Sequence, residues 1–207
     1  MNYIEKARSY AMSHESPKRF AHTEGVASDC ARLCEIFELD AETSEKLCFA
    51  AWLHDSTKER TPAEQAELCR EFGISEPPDG YGSPTLHAVT AAHLARKLFP
   101  EFADDTVFLA IRYHTTGRAD MTIPEMILCF ADYSEASRKY IKCRELRKLF
   151  YENVNSVNRD ELLMDCLRQA FESTITSLSN SGDFIDPDTF EGQRYLTGRI
   201  KELRGKK

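Results

Sequence analysis

The sequence lacks the features that define several protein classes. None of its seven cysteines forms a CxxC pair, and no uninterrupted apolar run exceeds seven residues, as in residues 47–53. The missing CxxC pairs exclude zinc ribbons and thioredoxin-type redox sites. A seven-residue run is far too short to cross a bilayer, and the first ten residues lack a hydrophobic signal-peptide core. The sequence therefore predicts a soluble, cytoplasmic protein with no membrane partner.

Positive charge is also scarce. The chain has 27 Lys and Arg against 34 Asp and Glu, for a net charge of -7, and its one short basic stretch is residues 201–207. Duplex nucleic acid is bound through broad basic surfaces. The balance of charge therefore disfavours a broad nucleic-acid surface.

The length and composition are those of one globular domain. Over 207 residues, 42% are hydrophobic and 29% are charged, with no repeat or low-complexity linker. A chain of this size buries roughly 70% of its unfolded surface, so it needs neither disulfides nor a structural metal to fold. We predict a single domain over residues 1–207, with the site in residues 1–145 and supporting helices in residues 146–207.

Helix signals recur along the chain, whereas strand signals are almost absent. Ser16-Pro17 is typical of a helix start, and Thr61-Pro-Ala-Glu64 and Thr122-Ile-Pro-Glu125 are capping boxes. Helical periodicity extends over residues 40–58, 84–98, 105–114 and 161–178. The fold is therefore predicted to be all-α, and the Pro- and Gly-rich residues 74–83 are expected to form a flap near a site.

Four of the six histidines stand at or inside these predicted helices. They are His22, His54, His87 and His114, at spacings of 32, 33 and 27 residues, and Asp132 follows 18 residues later. Such spacings cannot form a local zinc-finger loop. If these side chains bind metal, several helices must bring them together inside a bundle.

The adjacent pair His54 and Asp55 is the most informative local feature. Neighbouring side chains on a helix diverge by about 100°, so both can line one cavity only near a helix end. There the imidazole could bind one metal while the carboxylate bridges to a second. The alternative from the residues alone is an amphipathic boundary with an exposed polar pair.

Taken in order, five segments resemble the HD superfamily of metal-dependent phosphohydrolases, and most closely its YqeK-type branch of symmetrical diadenosine tetraphosphate hydrolases. The segments are Arg19-Phe-Ala-His22, Leu53-His54-Asp55-Ser-Thr-Lys58, Leu86-His87, Ile111-Arg-Tyr-His114-Thr-Thr-Gly117 and Phe130-Ala-Asp132-Tyr-Ser-Glu135-Ala-Ser-Arg138. With a final helix start near Pro187, the resemblance covers roughly residues 17–196. Three departures are Ala88 in place of glycine after His87, Ala136 in place of proline, and Arg194-Tyr195-Leu196 without the usual asparagine. The first of these raises the question of an altered second metal site.

The resemblance implies an HD-domain helical bundle with a dinuclear metal site. One ion would be held by His22, His54, Asp55 and Asp132, and the other by His87 and His114 with Asp55 bridging. A mixed imidazole and carboxylate shell suits divalent transition metals better than magnesium or calcium. Iron is our first choice, with manganese, cobalt, nickel and zinc as alternatives.

The resemblance also implies a catalytic role for Asp55 and Lys58 and a substrate-binding role for six residues: Arg19, Lys58, Thr115, Thr116, Gly117 and Arg138. Lys58 follows Asp55 by three residues and is expected on the same side of a continuing helix, where it would offset charge on a phosphate in the transition state. Each arginine could bind a phosphate through two hydrogen bonds. Purely structural roles for these residues stay open. Lys58 could form an ion pair with Asp55 or Glu59, residues 115–117 could be an ordinary helix C-cap, and the two arginines could be solvated.

The two remaining histidines and the single tryptophan are not assigned to the site. His14 is expected to be exposed, His93 to face away from His87, and Trp52 to pack in the core rather than bind adenine.

The implied reaction cleaves diadenosine tetraphosphate to two ADP through attack of a metal-bound hydroxide. Two alternatives stay open: another HD phosphohydrolase acting on mononucleotides, deoxynucleoside triphosphates or cyclic nucleotides, and a nucleotide-binding regulator without turnover. Assembly into a homo-oligomer is also left open.

Overall fold

The computed structural model describes residues 2–205, and within them it contains ten α-helices and no β-strand. The helices are α1 (Tyr3–His14), α2 (Pro17–Ile36), α3 (Ala41–Leu53), α4 (Pro62–Phe72), α5 (Leu86–Leu98), α6 (Asp105–Tyr113), α7 (Ile123–Ser134), α8 (Ile141–Asn153), α9 (Arg159–Ser181) and α10 (Pro187–Gly205). The predicted all-α fold is confirmed. No helix in this range is long and apolar enough to cross a membrane.

The predicted helix starts are present with their caps. The Ser16 hydroxyl accepts a hydrogen bond from the Arg19 amide, and Thr61 and Thr122 each form a complete capping box. Each cap satisfies amides that have no partner within the helix. The start of helix α8 was not predicted, and its N-cap residue Tyr140 provides no side-chain hydrogen bond.

The predicted helix over residues 40–58 is too long. Helix α3 ends at Leu53, and residues 54–59 form successive turns, with the Lys58 amide bonded to the Asp55 carbonyl at 2.9 Å. The Thr57 carbonyl accepts from both the Arg60 amide and the Gln65 side chain. Our expectation that Lys58 lies with Asp55 on a continuing helix was therefore wrong, because the backbone after Leu53 forms turns with bonds three residues apart.

Helix α3 is central to the bundle and packs against α1, α2, α6 and α7. Its buried side chains include Phe49 and Leu47, and Trp52 is buried against Phe20, as predicted. Helix α9 packs on α7, α8 and α10. This arrangement brings the C-terminal ends of α3 and α6 close to the middle of the bundle.

The last two helices also contact the loop that follows α6. Gly117 has a φ of 65°, and a Cβ atom there would lie 2.3 Å from Cζ of Phe171 in α9. A Cβ atom at Gly192 in α10 would likewise approach the Arg118 backbone within 3.2 Å. Glycine at these two positions lets the helices pack directly on the backbone after His114.

Candidate metal centre

Two clusters of possible metal ligands meet at Asp55. The four-residue cluster consists of His22, His54, Asp55 and Asp132, and the three-residue cluster consists of Asp55, His87 and His114. Within each cluster, the candidate ligand atoms all lie within 4.8 Å of one another. The structure thus brings together all six residues that the sequence pointed to, and it divides them into the same two groups.

Helix ends orient three of the histidines. The Nδ1 atoms of His54 and His114 lie 2.7 Å from the carbonyl oxygens of Ala51 and Ile111, at the C-terminal ends of α3 and α6. His87 Nδ1 lies 2.8 Å from the Pro84 carbonyl oxygen, at the start of α5. A carbonyl can only accept, so each Nδ1 donates its proton and, in the neutral ring, leaves Nε2 as the free ligand atom.

The Asp55 carboxylate lies between the two clusters. Its Oδ1 is 3.2 Å from Nε2 of His87 and 3.7 Å from Nε2 of His114. Its Oδ2 is 3.5 Å from Nε2 of His54 and 3.7 Å from Nε2 of His22. Each oxygen therefore faces a different cluster, which is the arrangement that a bridging ligand requires.

Two further residues hold His22. Its Nε2 lies 2.9 Å from Oδ1 of Asp132, and its Nδ1 lies 3.2 Å from Oε1 of Glu135. Glu135 is buried, and its other oxygen accepts from the Ser137 amide at 2.8 Å. A carboxylate on the outer nitrogen of a histidine fixes the ring and makes it a stronger ligand. Glu135 was missed as a functional residue, although it lies three positions after Asp132 in a segment that carried the resemblance.

The charges in the site favour a bound cation. Burial alone would raise the pKa of the Asp55 and Asp132 carboxyl groups, but the neighbouring imidazoles outweigh it and hold both pKa values well below the usual range. Burial opposes protonation of His54, yet the same two carboxylates raise its pKa to about 9. Two ionised carboxylates, one buried and one partly buried, therefore lie in the same cluster, and such a pair needs positive charge beside it.

The donor atoms fit a divalent transition metal. Burial lowers the pKa of His87 to about 4, so at neutral pH this imidazole is uncharged and its Nε2 is free to act as a ligand. The buried Nε2 of His54 has no hydrogen-bond partner. Imidazole nitrogens combined with carboxylate oxygens suit iron, manganese, cobalt, nickel or zinc.

Three basic side chains lie next to the clusters. Arg19 Nη1 donates to Oδ2 of Asp55 at 2.5 Å, and Arg138 donates to Oδ1 and the backbone oxygen of Asp132 at 2.5 and 2.8 Å. The Lys58 ammonium donates to the Pro84 carbonyl at 3.1 Å. These predicted substrate-binding residues therefore lie at the site.

Of the three predicted substrate-binding residues in the loop after α6, only one has its side chain at the clusters. Thr115 Oγ1 lies 3.0 Å from Nε2 of His114 and 3.4 Å from Nε2 of His87. The Thr116 hydroxyl is buried and donates to the Gly117 carbonyl, and Gly117 packs against α9. Thr115 thus presents a hydroxyl to the site, whereas Thr116 and Gly117 shape the turn.

Two clefts open beside the clusters. One, of about 420 Å³, is lined by Lys18, Arg19, His22, Arg138 and Lys139, among others. The other, of about 210 Å³, is lined among others by Lys58, Arg60, Tyr81 and His87. The Pro- and Gly-rich loop lies beside the site as expected, since its residues 81–83 line this second cleft. Both clefts carry basic side chains, although the chain as a whole is acidic.

The histidines that were set aside lie elsewhere. His14 is exposed at the end of α1, and His93 packs against the rings of Phe72 and Phe108. Neither belongs to either cluster.

The chain is similar to a known family and to curated proteins. A model of the HD-domain family matches residues 19–137, which include all six candidate ligands. A protein of Halalkalibacterium halodurans named symmetrical bis(5'-nucleosyl)-tetraphosphatase is 31% identical over 191 residues, covering 92% of this chain and 95% of that protein. Proteins of the same name from Staphylococcus aureus and Bacillus subtilis are 33% and 28% identical. They cover 72% and 93% of this chain, and 74% and 96% of their own lengths.

A solved structure has the same fold. The crystal structure of a Clostridium acetobutylicum protein, described as a predicted HD superfamily hydrolase involved in NAD metabolism, superposes with a TM-score of 0.79. It is 29% identical, and the match covers 96% of this chain and 98% of that one.

Proposed function

Because the chain belongs to the HD-domain family, in the branch whose curated relatives are named symmetrical bis(5'-nucleosyl)-tetraphosphatases, we propose that it hydrolyses diadenosine tetraphosphate to two ADP. Water adds to a phosphorus beside the central bridging oxygen, the bond to that oxygen breaks, and the departing ADP takes up a proton. The observation that carries the proposal is the Asp55 carboxylate, whose two oxygens face two separate ligand clusters.

The six residues of the two clusters are proposed to hold two divalent metal ions, with iron as the first choice. When bound, two such ions polarise phosphoryl oxygens and lower the pKa of water at the reaction centre. Asp55 would contribute one carboxylate oxygen to each cluster. Glu135 keeps the His22 ring turned toward Asp132.

The basic side chains are proposed to bind the polyphosphate. Arg19 and Arg138 line the cleft on one side of the clusters, and Lys58 lines the cleft on the other. A polyphosphate that lies across both clusters would extend one arm toward each cleft. Lys58 then stabilises negative charge as it develops on the phosphoryl oxygens, and the Thr115 hydroxyl donates to the same group.

Product analysis in oxygen-18 water tests the reaction. The purified protein is loaded with iron or manganese and given diadenosine tetraphosphate, and the products are separated and weighed by mass spectrometry. Symmetrical cleavage yields ADP alone, with the label on the terminal phosphate of half the molecules. Equal amounts of ATP and AMP would contradict the proposed bond cleavage.

A substrate panel separates the alternatives. It contains NAD, a deoxynucleoside triphosphate, a mononucleotide and a cyclic nucleotide. NAD is included because the Clostridium relative is described as involved in NAD metabolism. We expect the highest kcat/KM for diadenosine tetraphosphate. A higher kcat/KM for another compound would identify that compound as the preferred substrate. Binding without product after long incubation would favour a nucleotide-binding regulator.

A further inference from the structure

Three buried polar side chains form a closed ring of hydrogen bonds beside the three-residue cluster. Thr57 and Thr90 are fully buried and Gln65 is 5% exposed. The Gln65 amide nitrogen donates to the Thr57 carbonyl at 2.9 Å, and Thr90 Oγ1 donates to Gln65 Oε1 at 2.9 Å. The two threonine hydroxyls lie 2.8 Å apart. The ring joins the turn after α3 to α4 and α5.

The hydrogen-bond partners in this ring fix the orientation of the Gln65 amide. The Thr57 carbonyl can only accept, so Nε2 of Gln65 must face it and Oε1 must face Thr90. Thr90 then donates its only hydroxyl proton to Oε1 of Gln65. The single proton of the Thr57 hydroxyl is therefore available to either of two acceptors, Thr90 Oγ1 at 2.8 Å or the His87 carbonyl at 2.9 Å. An apolar substitution at any position leaves buried polar atoms without partners.

The ring lies next to the three-residue cluster and is not hydrogen-bonded to the helices that carry His22 and Asp132. Thr57 stands between Asp55 and Lys58 in the chain, and its hydroxyl contacts the backbone of His87. Thr90 lies three residues after His87 in α5. The ring has no hydrogen bond to α2 or α7, which carry His22 and Asp132. Its geometry therefore governs the position of His87 relative to Asp55 and Lys58.

We propose that Gln65, with Thr57 and Thr90, is a positioning residue that sets the metal affinity of the three-residue cluster. It acts through the backbone of His87, which belongs to the three-residue cluster alone. This inference rests on the proposed dinuclear centre and adds a separate claim, that the two ions depend on the ring to different extents. Loss of the ring weakens the ion at His87 and His114 and leaves the ion at the four-residue cluster in place.

The test counts metal ions in variants that keep side-chain size. Thr90→Val is nearly isosteric and removes the hydroxyl, Thr90→Ser restores it, and Gln65→Met removes the amide. Gln169→Met is the matched control, because Gln169 is a partly buried glutamine in α9 that bonds Lys142 and Asp165. Each protein is titrated with manganese. Bound metal is measured by elemental analysis, and coupling between the two ions by electron paramagnetic resonance.

We expect two coupled ions in the wild type and in the control. Thr90→Val and Gln65→Met should bind the second ion about 10- to 100-fold more weakly and show the spectrum of an isolated ion, while Thr90→Ser recovers the pair. Two ions of wild-type affinity in both ring variants, with only a lower melting temperature, would overturn the inference. A wild type that binds fewer than two ions and makes no ADP would instead contradict the proposed function.

Discussion

His87 and His114 direct their Nε2 atoms at each other across 3.2 Å. Because the Nδ1 atom of each ring donates to a backbone carbonyl, neither Nε2 of the neutral rings has a proton to share. The Thr115 hydroxyl can donate to only one of them. Two lone pairs at this distance repel each other unless a cation lies between them or a ring is protonated. The three-residue cluster is thus arranged for a cation, and its occupancy should affect the stability of the fold.

Divalent metal should therefore stabilise the protein measurably. A ligand at 100 times its Kd adds about 2.7 kcal/mol to the free energy of unfolding, which corresponds to a rise of roughly 5–10 °C in Tm for a chain of this size. We expect manganese or iron to produce such a rise after chelator treatment, as followed by calorimetry. His114→Ala should lose much of it.

His93→Ala is the matched control for that experiment. His93 packs between aromatic rings outside both clusters, so its loss should lower Tm without changing the rise caused by metal. An equal loss of the metal effect in the two variants would contradict the assignment of His114.

The contact of Glu135 with His22 leads to a second prediction. Glu135→Ala removes the carboxylate that fixes the His22 ring, and loss of such a partner weakens metal binding about 10- to 100-fold. Isothermal titration with manganese measures the change. Glu101→Ala, which removes a glutamate that bonds Tyr3 rather than a candidate ligand, should bind metal normally.

Gly25 offers an independent way to disturb the same contact. A Cβ atom at this position would lie 2.9 Å from Oε2 of Glu135, so Gly25→Ala must shift the carboxylate. We expect metal affinity to fall in this variant as well, by less than in Glu135→Ala. Unchanged affinity in both variants would show that Glu135 does not support His22.

Much of the site follows from local sequence signals, because helix caps and the segments around each histidine depend on neighbouring residues. Ser16, Thr61 and Thr122 place their helices correctly, and all six candidate ligands converge. The convergence itself was expected from the family resemblance, since spacings of about 30 residues do not determine how helices pack.

The structure goes beyond the local signals where turns and distant contacts decide it. Helix α3 ends at Leu53 and is followed by turns in which amides bond to carbonyls three residues back, a change that no local pattern shows. Thr116 was grouped with Thr115 as a substrate-binding residue, and in the structure the turn at Gly117 directs its hydroxyl to the backbone. Gly117 itself reflects the contact with Phe171, which lies 54 residues further along the chain.

Lys58 should affect the chemistry without affecting metal content. Removing one preorganised donor of this kind costs about 10²- to 10³-fold in kcat, so Lys58→Ala should lower kcat by this amount with two ions still bound. Arg60→Ala is the control, since Arg60 lines the same cleft but pairs with Glu64 at 3.2 Å. Steady-state kinetics and elemental analysis of the same samples check both statements. A wild-type kcat in Lys58→Ala would show that Lys58 does not take part in the reaction.

The packing of Gly117 against Phe171 tests the proposed supporting role of residues 146–207. Gly117→Ala combines an unfavourable φ of 65° with a Cβ atom 2.3 Å from a buried ring, so the ring or the loop must move. Gly182→Ala has a similar φ of 75° but nothing within 4 Å, so it isolates the backbone strain. Strain alone costs of order 1 kcal/mol, and overpacking adds about 1–3 kcal/mol. Urea unfolding should therefore show a larger loss of stability in Gly117→Ala. Because His114 lies three residues earlier, metal affinity should fall in this variant and not in Gly182→Ala; equal effects of the two substitutions would indicate that α9 does not support the site.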